Sequence, residues 1–309
     1  MTRFTPAVGF IGFGEAGSTI AGGLGKAGVE RLFAFDINTH TPDFGSTITV
    51  HAHQSGTSLL ESAAELARSS DVLFSTVTSS SAVDAATAIA GFLEPRHLYA
   101  DLNSVSPAVK ISIDRVIGGS GARFVEAAVM APVMPYGHKV PMLLGGAGAA
   151  AFAELMTPFG MRLEVLDGAR VGSAAAVKMC RSIVVKGLEA LLFECVMGAS
   201  RFGADDLVWA SLNESFPGID WKALADYTTG RVVVHGERRA REMEEVAETL
   251  RAIGVDPIMA EATARRQDWS AKIGLRSRFG PTGPQTYREV LDAMTDATGT
   301  WTSPGASTA

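Results

Sequence analysis

The stretch Val8-Gly9-Phe10-Ile11-Gly12-Phe13-Gly14-Glu15-Ala16-Gly17 places the spacing G-x-G-x-x-G directly between an apolar strand and a helical run. In this context the first glycine permits a tight turn, the second lets the backbone approach a ligand, and the third allows close helix–strand packing. The free N–H groups and positive dipole end of the helix attract phosphates. The stretch predicts a Rossmann domain that binds a dinucleotide. We expect cofactor contacts along the turn, at Gly12, Phe13, Gly14, Glu15, Ala16 and Gly17.

A carboxylate follows the next predicted strand: Asp36 comes directly after Leu32–Phe35, nineteen residues beyond Gly17. A carboxylate at this place accepts hydrogen bonds from the adenosine ribose hydroxyls and repels a 2′-phosphate. The residues that follow, Ile37–His40, include no arginine that could receive such a phosphate. We therefore expect NAD as the cofactor rather than NADP. The alternative interpretation is an ordinary strand-to-helix turn with Asp36 as a loop carboxylate.

The pattern of apolar residues divides the chain into two parts. In the first, short β-rich runs alternate with helix-like stretches, as in a sheet covered by helices on both faces. From about Val171 the apolar period becomes helical, beginning with Gly172–Arg201. The sequence predicts an α/β Rossmann domain at 1–168 with a mostly parallel, doubly wound sheet. A long interdomain helix then leads into an all-α substrate and dimerisation domain at 169–309, of which 299–309 is expected to be a flexible tail. Strands are expected near Ala7–Ile11, Leu32–Phe35, Thr47–His51, Val72–Val77, His97–Asp101, Phe124–Val129, Pro141–Leu144 and Arg162–Val165.

Composition narrows the class of protein. The 309 residues suit two domains, and 27 basic against 33 acidic residues give no electrostatic reason to expect a nucleic-acid partner. Six glycines interrupt the apolar stretch Val8–Leu24, so neither a signal peptide nor a membrane span is expected there. The two cysteines, Cys180 and Cys195, would lie about 22 Å apart on one helix, too far for a disulfide. We expect reduced thiols in a cytoplasmic protein, and no metal site.

Three further segments carry a resemblance to a known family. They are Asp101-Leu102-Asn103-Ser104-Val105-Ser106-Pro107, Glu126 to Val133, and Gly172 to Lys178. Together with the glycine-rich turn, their order and spacing resemble the β-hydroxyacid dehydrogenases, which include 3-hydroxyisobutyrate and 6-phosphogluconate dehydrogenases. The resemblance covers essentially the whole chain. The glycine-rich turn is generic, whereas a lysine about six residues into the interdomain helix is fairly specific to this family.

The resemblance implies a reaction and residue roles. Lys178 matches the general acid/base, Asn103 and Ser104 match the groups that bind substrate carboxylate and nicotinamide ribose, and Thr78 matches the loop beside that ribose. The implied activity transfers a hydride between a nicotinamide cofactor and the hydroxyl of a small hydroxy acid or sugar acid. Family members usually dimerise through their helical domains, so a homodimer is expected. From chemistry alone, a solvated helix lysine is an equal alternative for Lys178.

Several residues depart from the family pattern and indicate a less characterised branch. Arg181 and Ser182 stand three and four residues after Lys178, where family members have Asn or His and then Asn. The usual P-V-S-G-G loop is replaced by residues 132–137, which include Tyr136. We take Arg181 as a candidate clamp for an anionic substrate, with Ser182, Tyr136 and His235 as further candidate contacts. The alternatives are an interdomain ion pair for Arg181 and a helix cap or a satisfied surface group for His235.

Two other functions fit the same sequence. One is reduction of an imine on this fold, although enzymes of that kind commonly carry Asp or Tyr where Lys178 stands. The other is a non-catalytic NAD-responsive binding protein, because a fold does not by itself specify a function. Formation of NADH with a hydroxy acid distinguishes the dehydrogenase from both.

Overall fold

The computed structural model describes residues 5–168, 170–280 and 282–298 and contains two compact units. One unit ends at Lys178 and the other begins at Met179. The first is an α/β unit built on a single sheet, and the described secondary-structure elements of the second are all helices. The predicted fold class is therefore confirmed. The tail expected at 299–309 lies outside the described residues.

The first unit is built on a sheet of eight described strands in the order β3-β2-β1-β4-β5-β6-β7-β8. Neighbouring strands are parallel except β6 and β7, which run antiparallel. This is the mostly parallel, doubly wound sheet that the sequence predicts. The strands are β1 Ala7–Ile11, β2 Arg31–Phe35, β3 Ser58–Leu59, β4 Val72–Ser75, β5 Leu98–Asp101, β6 Arg123–Val129, β7 Met142–Gly145 and β8 Leu163–Val165.

Helices connect these strands and form the second unit. The α-helices of the first unit are α1 Glu15–Lys26, α2 Gly45–Ser55, α3 Ala63–Ser69, α4 Ala82–Ala90, α5 Pro107–Gly118, α6 Val133–Tyr136 and α7 Ala149–Met156. The long helix α8, Ser173–Arg201, begins in the first unit and continues into the second. The second unit adds α9 Asp205–Ser215, α10 Trp221–Ala252, α11 Ile258–Lys272 and α12 Tyr287–Thr298. Among the described helices, none is both long and apolar enough to cross a membrane.

One predicted strand is wrong. The β-branched run in Thr47–His51 lies inside helix α2, while a short strand that the sequence did not indicate, β3, follows it. Ile48 and Ala52 stand one helical turn apart and are both buried in the core, and Gly56 ends the helix at φ +68°. Tertiary packing of this apolar face thus outweighs the modest β preference of Thr and Val.

The sheet has a hydrophobic core on each face. Val72 and Phe74 point to one side and Leu73 to the other, as the two-residue period of a strand requires, and all three are fully buried. Phe10 of β1 stacks on Phe74 with ring centroids 5.2 Å apart. The parallel strands are consequently held between two apolar layers, and the polar groups described next lie where these strands end.

Candidate functional site

The glycine-rich turn joins β1 to α1 with little spare room. Gly12 has φ +79°, and a Cβ there would lie 2.6 Å from Val77 Cγ1. A Cβ on Gly17 would lie 2.6 Å from Thr76 Oγ1, whereas a Cβ on Gly14 would meet nothing within 4 Å. The turn therefore has the geometry expected of its three glycines: a tight turn, an open approach and a close helix contact.

Asp36 is fixed beside this turn at the end of β2. One carboxylate oxygen accepts the Phe13 N–H at 2.7 Å, and the other accepts the Asn38 N–H at 2.8 Å. No side chain caps the start of α1, so the N–H groups of its first turn stay available to a ligand. Asp36 and the start of α1 thus present an acceptor and a set of donors next to each other.

A cavity of about 620 Å³ opens over the turn. Six of the predicted cofactor contacts line it: Gly12, Gly14, Glu15, Ala16, Asp36 and Thr78. Phe13 and Gly17 lie behind the lining, since the Phe13 side chain is fully buried and Gly17 packs against Thr76. The lining also includes a set of apolar residues: Ile37, Ala63, Val77, Ala85, Ala88 and Ile89. This combination of polar turn and apolar wall suits a nucleotide.

Sequence reasoning missed part of this wall. Helix α2 contributes Phe44 at its cap, Thr47, Ile48 and His51. The sequence predicts a strand for this segment, and a strand, whose side chains alternate between two sides, would not direct all of these residues toward the cavity. The available signal was the spacing of Ile48 and Ala52 followed by Gly56, which is typical of a helix and its end.

Three buried polar residues stand in one row across neighbouring strands. Ser75 ends β4, Asp101 ends β5, and Glu126 lies in β6, with Ser75 opposite Asp101 and Asp101 opposite Glu126. All three are fully buried. In an open α/β sheet ligands bind beyond the carboxyl ends of the strands, so this row lies where binding chemistry is expected.

Asn103 lies at the end of this row with its amide orientation fixed. Its Nδ2 donates to Ser75 Oγ at 2.9 Å and also to Asp101 Oδ1. Its Oδ1 is buried and has no hydrogen-bond partner among the described groups. Such an unsatisfied acceptor is costly unless a ligand or water supplies a donor. The neighbouring predicted contact, Ser104, is exposed.

Lys110 of α5 bonds to the same carboxylate as Asn103, that of Asp101. Its Nζ donates to Asp101 Oδ2 at 2.7 Å and to the Asp101 carbonyl oxygen at 2.8 Å, and its side chain is 1% exposed. Ser106 caps the start of α5, which begins at Pro107, and its Oγ accepts the Val109 N–H at 3.3 Å. Sequence reasoning singled out the strand end but not Lys110, nine residues further on.

The start of α8 is attached to the same row through Glu126. The two carboxylate oxygens accept the Gly172 and Ala175 N–H groups, each at 2.7 Å. A carboxylate at a helix N-terminus satisfies free donors and interacts favourably with the helix dipole. A Cβ on Gly145 would lie 2.9 Å from Glu126 Oε2, so glycine leaves room for this carboxylate. Lys178 follows on α8 and is half-buried.

The loop after β6 packs against α1. His138 is buried, and a Cβ on Gly23 of α1 would lie 2.2 Å from its Nδ1. Burial first, and then the nearby Lys139 charge, lower the pKa of His138, while a backbone hydrogen bond at Phe159 opposes the shift. Tyr136, a predicted substrate contact in this loop, is 47% exposed.

The other predicted substrate residues belong to the second unit. Arg181 is exposed on α8, and Ser182 Oγ accepts from Lys186 Nζ at 3.3 Å. His235 lies in the middle of α10, so the alternative of a helix cap is wrong. Burial and four surrounding arginines lower the pKa of His235 to about 4.

Comparison with known proteins places these features in a family. Residues 7–156 match the NAD binding domain of 6-phosphogluconate dehydrogenase, and residues 199–270 match a domain of unknown function, DUF1932. The solved structure of a conserved protein of unknown function, MTH1747, is described as similar to 3-hydroxyacid dehydrogenases. This chain is 30% identical to it, covering 87% of this chain and 98% of that protein, with a TM-score of 0.73.

The chain belongs to the β-hydroxyacid dehydrogenase family. It is also similar to a conserved hypothetical protein from Sinorhizobium meliloti, with 35% identity, coverage of 96% and 97%, and a TM-score of 0.78. The mitochondrial 3-hydroxyisobutyrate dehydrogenase of Drosophila melanogaster is 27% identical over 220 residues, which are 69% of this chain and 64% of that enzyme. With its DUF1932 domain, this β-hydroxyacid dehydrogenase-like chain falls in a divergent branch, as predicted.

Proposed function

We propose that this protein is an NAD-dependent dehydrogenase that transfers a hydride between the cofactor and the hydroxyl of a small hydroxy acid or sugar acid. One observation carries the proposal. Glu126 holds the first turn of α8, the helix of Lys178, to the row that also contains Ser75 and Asp101. The cofactor cavity includes Thr76 and Val77, which directly follow Ser75. A lysine and a dinucleotide cavity are thereby attached to the same end of the sheet.

The residues present fit a nicotinamide dinucleotide. Gly14 leaves open space where a pyrophosphate would approach the first turn of α1, and Asp36 offers carboxylate oxygens to ribose hydroxyls. The unpartnered Oδ1 of Asn103 supplies an acceptor, and we assign it to a hydroxyl of the nicotinamide ribose or of the substrate. When bound, the cofactor supplies the two-electron hydride chemistry.

NAD is proposed over NADP. The carboxylate of Asp36 lies at the cavity and disfavours a 2′-phosphate. Among the residues that follow Asp36, His40 is the one whose side chain could contact a 2′-phosphate. That side chain is 77% exposed and pairs with Glu61 at 2.9 Å. Neither the residues of the cavity nor this pair offers a strong phosphate clamp.

Lys178 is proposed as the general acid/base. Oxidation of the alcohol removes a hydride from carbon and a proton from oxygen, and the neutral amine of a desolvated lysine can take that proton. In the reverse direction the ammonium returns the proton to the carbonyl oxygen.

We assign the substrate contacts to polar groups near Lys178 in sequence, to two residues of the first unit and to His235 of the second. Arg181 and Ser182 follow it by three and four residues on α8, so they share its helical face. The guanidinium of Arg181 suits the carboxylate of an anionic substrate. Ser104, Tyr136 and His235 are retained as further proposed contacts. The division of labour between a cofactor domain at 1–168 and a substrate domain at 169–309 is part of the same proposal.

A homodimer through the helical unit is also proposed. Val184 and Leu191 lie seven residues apart on α8 and are 70% and 58% exposed. Exposed apolar residues at this spacing form a stripe that another helix can cover. Sedimentation velocity of the wild type and of Val184→Glu tests this: a dimer that the substitution converts to monomer supports it, and a wild-type monomer contradicts it. Cys180 and Cys195 are free thiols, which suits our proposal of a cytoplasmic protein.

The central experiment is a screen of hydroxy acids and sugar acids for NAD reduction, with the matching aldehydes and ketones for NADH oxidation. Lys178→Met is expected to reduce turnover by about a hundredfold or more while NADH affinity, measured by fluorescence, is unchanged. Lys272→Met, at a 75% exposed lysine, is the control. NADH binding without turnover of any alcohol, or turnover only of imines, would overturn the proposal.

A further inference from the structure

A group of basic side chains surrounds His235 in the second unit. Arg231 and Arg239 lie one helical turn before and after His235 on α10, and Arg238 lies three residues after it. Arg276, in the short helical turn Leu275–Arg278, donates from Nη1 to the Val234 carbonyl oxygen at 3.1 Å. We call His235 and these four arginines the basic patch. Two separate segments of the chain therefore bring cations to one histidine.

Each of the two carboxylates named here that contact the basic patch is shared between two cations. Glu189 of α8 accepts from Arg239 Nη1 and lies 3.6 Å from Arg231 Nε. Glu242 lies 3.3 Å from Arg238 Nη1 and 2.7 Å from Lys186 Nζ. These two acids thus face four cations, and Arg276 is a fifth. The groups named here carry more positive than negative charge.

The state of His235 reflects this charge. Its pKa falls to about 4, first through burial and then through Arg238, Arg231, Arg239 and Arg276. The positive potential that disfavours the imidazolium form is the same potential that attracts an anion.

The basic patch also contains an unsatisfied hydrogen-bond donor. Nε of Arg239 is buried and has no acceptor among the described groups, in a side chain that is only 6% exposed. The Arg231 side chain is 20% exposed and the Arg238 side chain 64%, so the patch extends from the buried Arg239 outward. A buried guanidinium N–H without an acceptor is costly, and an oxyanion oxygen would satisfy it.

We propose that the basic patch binds a multiply charged oxyanion, the phosphate group of a small metabolite. A dianion suits the patch better than a monocarboxylate because the five cations named above outnumber the two carboxylates. Guanidinium groups also match the geometry of a phosphate. Binding also favours protonation of His235, because a nearby negative charge stabilises the imidazolium form. The patch includes His235, which the proposed function also takes as a substrate contact, but anion binding is tested without cofactor or turnover and can fail or succeed independently of the dehydrogenase activity.

The test is an NMR titration of the full-length protein with inorganic phosphate at constant ionic strength. The chain has six histidines, and the His235 ring signal is assigned by its loss in His235→Gln. Above about pH 7.5, where inorganic phosphate is mostly a dianion, phosphate is expected to shift this signal saturably. Sodium chloride at equal ionic strength is expected to produce no saturable shift.

Variants distinguish a specific phosphate site from nonspecific attraction by positive charge. Arg276→Gln and the exposed Arg238→Gln are each expected to weaken phosphate binding by about tenfold or more, whereas Arg241→Gln, a 73% exposed arginine of the same helix outside the patch, leaves it unchanged. Arg238→Gln keeps the test valid if Arg276→Gln fails to fold. An unresponsive His235, an equal response to chloride, or an equal loss in Arg241→Gln would each overturn the proposal.

Discussion

Lys110 Nζ lies 2.7 Å from Asp101 Oδ2, and the two side chains are 1% and 0% exposed. Asp101 uses its other carboxylate oxygen to accept from Asn103 Nδ2. The ion pair therefore fixes the Asp101 carboxylate, which in turn orients the Asn103 amide. Lys110 thus acts on the carboxyl end of the inner strand β5, although it does not line the cofactor cavity.

Removing Lys110 is expected to be strongly destabilising. Lys110→Met leaves the Asp101 carboxylate buried without its cation, and losing one member of a buried pair costs about 3–5 kcal/mol. The free energy of unfolding, from urea denaturation, measures this. The double variant Lys110→Met/Asp101→Asn removes both charges and is expected to recover part of the loss. If the double variant is as unstable as the sum of the two single changes, the pair is not coupled as described.

Glu126→Gln is expected to loosen the start of α8. The amide retains one acceptor but turns an N–H₂ group toward the Gly172 or Ala175 N–H, so one of the two hydrogen bonds is lost. Hydrogen–deuterium exchange at residues 172–175 should become faster, by about tenfold for each 1.4 kcal/mol lost. Glu154→Gln, at an exposed glutamate of α7, is the control. Unchanged exchange at 172–175 would show that Glu126 does not hold this helix.

Asp36→Ser with His40→Arg is expected to shift cofactor preference toward NADPH. The change removes the carboxylate that disfavours a 2′-phosphate and adds a guanidinium that can bind it. Fluorescence titration should give a ratio of dissociation constants, NADPH to NADH, lowered by about tenfold or more relative to the wild type, or at least about 1.4 kcal/mol. A wild-type protein that already binds NADPH more tightly than NADH contradicts this role of Asp36.

His138 is expected to make the protein less stable in acid. Burial lowers its pKa in the folded state below the ordinary 6.5, so the unfolded chain binds more protons as the pH falls below that value. Stability due to the neutral imidazole is present above pH 6.5 and declines as the pH falls toward the lowered folded-state pKa. Thermal denaturation between about pH 7 and pH 5 should show a smaller pH dependence in His138→Gln than in the wild type.

The control for this measurement is His53→Gln, at an exposed histidine of α2, which should leave the pH dependence unchanged. Equal slopes for the wild type and His138→Gln would assign the acid sensitivity to other groups.

Local sequence determined much of the fold. The spacing G-x-G-x-x-G within one strand–turn–helix unit predicts the turn between β1 and α1 and the positive φ at Gly12. Seven of the eight expected strands coincide with observed ones. Residue spacing and apolar period within each segment carry this information. The close contacts of Gly12 and Gly17 with Val77 and Thr76 come instead from a distant part of the chain.

Tertiary structure alone decided the rest. Thr47–His51 is a helical segment because Ile48 and Ala52 are buried together, which its β-branched composition does not indicate. Glu126 and Ala175, 49 residues apart, meet only because β6 and α8 are brought together by the fold. The same holds for the basic patch, where Arg276 approaches Val234 across 42 residues. Such contacts depend on how distant elements pack, and no local spacing encodes that.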